Sequence, residues 1–79
     1  MNQRLVAALA EVFGLKEAEI RPSLTQDDVG SWDSLRQMDL VLSLEREFGV
    51  TLEMADIVRM VSVAGIEEVL RAKGVDLGA

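Results

Sequence analysis

The chain has 79 residues, 49% of them hydrophobic, which suits one domain with an apolar core and excludes a disordered chain. Fourteen acidic against eight basic residues give a net charge of −6, which disfavours nucleic acid and anionic membranes and favours basic protein patches, while also serving solubility. There is no cysteine and no histidine, so disulfides, a thiolate nucleophile, the usual general base and the commonest metal ligand are all missing, and no catalytic or metal-ligating set is expected.

The apolar run from Leu5 is short and interrupted by Glu11, so it does not read as a signal peptide, and no segment approaches membrane-spanning length. A cytoplasmic monomer without membrane insertion is the expectation. The first helix is predicted from about Gln3 to Phe13, with Asn2 as N-cap and Gly14 as the stop. Leu5, Val6, Leu9, Val12 and Phe13 share one face of it at helical spacing, a core stripe. From Gly14 to Asp33 runs a long loop with Pro22 and Gly30, and Leu15, Ile20, Leu24, Val29 and Trp32 are apolar pins that suggest it packs across a bundle.

A second helix is predicted over Ser34 to Phe48, closed by Gly49, and a short third over Met54 to Met60. The last helix starts after Ser62 as N-cap, runs to about Lys73 and ends at Gly74, with Val63, Ile66, Val69 and Leu70 as its core stripe. No strand alternation or repeat is present. The expected fold is all-α, a small bundle of three main helices plus one short helix, with residues 1–79 forming a single domain.

The second helix divides its apolar residues between two faces. At about 100° per residue, Leu40, Val41, Leu44 and Phe48 cluster on one side and Leu35, Met38 and Leu42 on nearly the opposite side, beside Asp39, Glu45 and Arg46. A surface helix of a small bundle buries one broad stripe, so the second is either an exposed docking strip or is covered by the long loop or the third helix. Ser34 heads this helix. With Gln37 it matches the capping-box spacing S-x-x-Q, which is sufficient to explain it structurally. A phosphate-bearing group attached there would instead lie at the helix's positive end, with Asp33 taking over the cap.

Asp33-Ser34-Leu35, the helix pattern through Phe48 and the Val61-Ser62-Val63 turn resemble the acyl carrier protein family over nearly the whole chain. The resemblance implies that Ser34 accepts 4′-phosphopantetheine from coenzyme A through a phosphopantetheinyl transferase, with Asp33 completing the motif. The arm's thiol would hold acyl or aminoacyl groups as thioesters, which explains how a chain without cysteine handles sulfur-linked cargo. The helix after the serine becomes the recognition helix. Leu35, Met38 and Leu42 match its apolar contacts, and Asp39, Glu45 and Glu47 match the acids that meet basic docking patches on acyl-loading and acyl-transferring enzymes. The resemblance also implies a carrier rather than an enzyme.

Some relatives store an acyl chain between the second and third helices, where Leu40, Val41, Ile57 and Met60 would line a pocket; the same residues also read as ordinary core. Arg36 and Arg46 stand where housekeeping fatty-acid carriers usually have acids, and Thr51, Glu53 and Met54 alter the segment leading into the third helix. These departures make a dedicated carrier of specialised-metabolite synthesis at least as good a reading as a fatty-acid carrier. Asp33 stands where peptidyl carriers typically have histidine. Trp32 is larger than the family's usual residue and can pin the loop or sit beside the arm. A helical adaptor that docks without a prosthetic group is the alternative of a different class.

Overall fold

Leu5, Leu9, Leu40, Leu44, Ile66 and Leu70 are wholly buried, and three long helices bring them together. A computed structural model describes residues 1–78 of the chain. Among these residues lie four α-helices, α1 (Gln3–Phe13), α2 (Ser34–Phe48), α3 (Met54–Ile57) and α4 (Val63–Ala72), and no strand. Each buried leucine of this set adds on the order of 1.5–3 kcal/mol through the water it sheds.

The helix ends follow local chemistry. The Asn2 side chain accepts a hydrogen bond from the Leu5 N–H at 3.0 Å, which satisfies one of the free donors at the start of α1. Gly14 and Gly49 close α1 and α2 in the left-handed conformation, at φ 66° and 65°, where a side chain would be strained. Ser62 caps α4 by accepting from the Gly65 N–H at 2.9 Å.

The long loop packs across the bundle. Ile20, Leu24, Val29 and Trp32 are buried and Leu15 is partly so. Two short 3-10 turns, Glu17–Glu19 and Gln26–Asp28, give its backbone internal partners. The second turn is a capping box in which the Asp28 carboxylate accepts from both the backbone N–H and the hydroxyl of Thr25, each at 3.0 Å. The loop is then tied to the start of α4, where Gln26 N–H donates to Val61 O and Val63 N–H to Leu24 O, both at 2.9 Å.

The third helix is shorter than its sequence suggested. It spans Met54–Ile57 rather than reaching Met60, and the chain turns through Val58 and Arg59. That turn drops Met60 into the core, fully buried, and lays the Arg59 carbonyl against the first turn of α4. The approach is so close that a Cβ at Gly65 would stand 2.5 Å from Arg59 O. None of α3's residues is fully buried; its Ile57 packs against the core, and side chains elsewhere help to hold it. Lys73, at the end of α4, places its ammonium 2.8 Å from the Asp56 carboxylate and 3.9 Å from that of Glu53.

Gly65→Ala is expected to cost about 1–3 kcal/mol by overpacking, because the Arg59 carbonyl is backbone and the whole turn must retreat. Urea denaturation checks this.

The Lys73 contact sets a pH dependence. The lysine's hydrogen bond, followed by the Glu53 backbone N–H, holds the Asp56 carboxyl below its usual range, and Asp56 in turn raises Lys73. The Thr25 backbone N–H and hydroxyl likewise lower Asp28. A lowered carboxyl adds stability that is complete above the unfolded carboxylate range and is lost as pH falls through it. A raised lysine keeps its contribution until pH climbs past the ordinary lysine range. Stability is therefore expected to be level between these limits and to drop in acid. Lys73→Met should lower the plateau and make the acid limb shallower, as read from urea midpoints across pH.

Candidate functional site: the head of α2

Asp33, not Ser34, is the N-cap of α2. Its backbone is extended and its carboxylate accepts from the Arg36 N–H at 2.9 Å. The S-x-x-Q capping box between Ser34 and Gln37 does not form, because aspartate caps as well as serine and lies one residue earlier. Ser34 becomes the first helical residue, exposed, and its hydroxyl makes no hydrogen bond among the described residues. The N–H groups of Ser34 and Leu35 beside it have no intrahelical partner, as in any first turn, so the surroundings favour an anion.

The segment leading to this serine is packed and hydrogen-bonded. Trp32 is 3% exposed and packs on Phe13 with ring centroids 4.5 Å apart and planes tilted by 32°. Its indole Nε1 donates to Gln37 Oε1 at 2.6 Å. Ser31 Oγ donates to Phe13 O at 2.9 Å and Arg36 Nη1 donates to Val12 O at 2.7 Å, so the last carbonyls of α1 are satisfied from the loop and from α2. Trp32 thus pins the loop instead of lying open beside the serine.

The two faces of α2 separate as their spacing indicates. Leu40, Val41 and Leu44 are buried, while Leu35, Met38 and Leu42 are 79%, 56% and 55% exposed. Neither the loop nor α3 covers the second stripe. Met54, Val58 and Val61 from α3 and the turn after it are exposed apolar residues too, and nothing in the spacing of the residues marks them for docking. Their signal was faint, since a four-residue helix has no stripe to read.

The acidic residues do not share one face. Asp39 is exposed, and Glu45 is half-buried with its carboxylate accepting from the Leu52 N–H at 2.8 Å, so it braces the segment before α3. Glu47 lies about 180° around α2 from Met38. There it pairs with Arg4, whose Nε is 2.9 Å from the carboxylate and whose guanidinium sits 5.0 Å from the centre of the Phe48 ring. Arg4 also donates to Glu47 O. Asp39, Arg46 and Glu47 reach a groove of about 470 Å3 between α1 and α2, floored by Ala7, Ala8 and Ser43. Leu40, Val41 and Met60 are closed into the core, with Ile57 packed on it from outside.

An exposed serine hydroxyl at the head of a helix, with no hydrogen bond among the described residues, is open to attachment of a group. Among the described residues no cluster of acids could hold a metal ion, and no helix is long and apolar enough to cross a membrane. A family model described as "Phosphopantetheine attachment site" matches residues 3–70. The chain is 35% identical over 69 residues to the non-reducing polyketide synthase sor2 of Hypocrea jecorina, and 32% identical over 71 residues to the non-reducing polyketide synthase dbaI of Emericella nidulans. These matches cover 87% and 90% of the chain but only 3% of each synthase. The chain belongs to the phosphopantetheine attachment-site family. It is an acyl carrier whose prosthetic group is 4′-phosphopantetheine, and it is not itself a catalyst. The head of α2 fits that group, with a free hydroxyl to esterify and unpaired N–H groups beside it.

Met38→Ala and Leu35→Ala are expected to change stability by less than about 0.5 kcal/mol, because the side chains already face water. Leu44→Ala, on the buried face, should cost about 2–5 kcal/mol. Urea denaturation of the three variants separates the faces; unfolding by Met38→Ala would mean that the second stripe is buried.

Proposed function

We propose that Ser34 is the residue that carries the arm, and that the domain delivers acyl groups, held as thioesters, to enzymes of specialised-metabolite synthesis. The observation that carries this reading is the division of labour at the head of α2. Asp33 satisfies the first turn, so the Ser34 hydroxyl is exposed and unengaged. In transfer from coenzyme A the Ser34 oxygen bonds to the pantetheine-bearing phosphorus as the pyrophosphate bond breaks, adenosine 3′,5′-bisphosphate leaves and the hydroxyl proton is lost. The charge of the resulting phosphodiester lies at the favourable end of the helix. Residues 1–79 act as one carrier domain.

The exposed apolar residues Leu35, Met38 and Leu42 form the docking surface for the phosphopantetheinyl transferase and for the acyl-loading and acyl-transferring enzymes, with Met54, Val58 and Val61 extending it over α3. Asp39 and Glu45 supply negative charge for a basic patch on these partners. The polyketide synthases among the relatives, together with Arg36 and Arg46 on α2, favour a specialised pathway over a general fatty-acid one.

Incubation with coenzyme A and a broad-specificity phosphopantetheinyl transferase is expected to add one phosphopantetheine, read by intact mass. Ser34→Ala should abolish the addition and leave the helical spectrum unchanged. A wild type that stays unmodified while a control carrier is loaded removes the reading and leaves a helical adaptor that only docks.

A further inference from the structure

Gln37 occupies a position that the carrier reading does not explain. It lies three residues after Ser34, on the inward side of α2, and its half-buried amide meets three groups from two other parts of the chain. Its Oε1 accepts from Trp32 Nε1 at 2.6 Å. Its Nε2 is 3.2 Å from Met60 O and 3.4 Å from Ile57 O. The orientation of the amide is fixed by its partners, since the indole N–H only donates and the two carbonyls only accept. One side chain therefore ties the residue two before Ser34 to the end of α3.

We propose that Gln37 is a positioning residue for arm transfer and docking, a strut that fixes the α3 half of the apolar surface relative to Ser34. The proposal rests on the reading of Ser34 as the attachment residue. The helix α3 has no fully buried side chain, and Val58 and Val61 in the segment after it are exposed. Its near end is held by the Gln37 amide and its Asp56 by Lys73, which sits at the far end of α4. The loop before Ser34 is held by Phe13 and by the same amide. A transferase that grips both Leu35 and Val58 meets them at one spacing only while this strut is in place. Without it, docking must first order α3, a cost that appears in apparent affinity and not in the chemical step.

Three variants divide the strut into its parts. Gln37→Met removes both halves, Gln37→Glu keeps the acceptor for Trp32 but turns a carboxylate on the two carbonyls, and Trp32→Phe removes only the indole donor. With coenzyme A and a broad-specificity transferase, Gln37→Met and Gln37→Glu are expected to raise the KM for the carrier about tenfold with kcat near that of wild type. Amide exchange over residues 54–61 should accelerate in both, while α1 and the buried turns of α4 stay protected. Trp32 fluorescence should shift in Gln37→Met and stay near wild type in Gln37→Glu. Trp32→Phe should leave exchange over residues 54–61 slow.

A folded Gln37→Met with wild-type KM and wild-type exchange over residues 54–61 overturns the proposal. If Gln37→Met fails to fold, the Gln37→Glu and Trp32→Phe pair decides by the same readings. A wild type that accepts no arm sinks the attachment reading itself, and the exchange measurement still reports whether the strut exists.

Discussion

The free hydroxyl of Ser34 depends on the carboxylate of Asp33. A helix start leaves several N–H groups without partners, and the nearest short polar side chain normally serves one of them. Here aspartate does so from one position upstream, with its oxygen 2.9 Å from the Arg36 N–H. The serine is released from structural duty while still standing in the positive field of the helix. Exchanging the two roles would tie the serine oxygen to a backbone N–H and leave the carboxylate without its cap partner.

The rest of the fold keeps that helix start in place. Phe13 closes α1 and gives Trp32 a surface to pack on, and Ser31 and Arg36 satisfy the carbonyls that α1 leaves over. The long loop is thus anchored at its last residues, immediately before Asp33. Its middle is anchored to the α3–α4 turn by the backbone pairs of Gln26 and Val63. A segment with little regular structure is packed in place, because its apolar pins reach the core and its polar backbone finds partners.

Much of this architecture was legible in the residues. The caps at Asn2, Gly14, Gly49 and Ser62 and the core stripes of the three long helices follow from short-range chemistry and spacing, and so does the two-faced division of α2. What could not be read depends on groups far apart in sequence. The S-x-x-Q pattern promised a capping box, but Gln37 is drawn inward by Trp32 and by two carbonyls twenty or more positions downstream. Glu45 and Glu47 read alike as surface acids of one helix. One braces the Leu52 N–H and the other joins Arg4 on the far side. After α3 the chain lays the Arg59 carbonyl against Gly65, a contact that no local pattern announces.

The shallow seating of α3 separates two requirements that are usually entangled. Met54 on α3 and Val58 just after it are exposed, whereas Gln37 and Lys73, whose side chains hold this segment, lie on or at the end of other helices. Outward side chains on this side of the molecule can therefore be exchanged with the hydrophobic interior left as it stands.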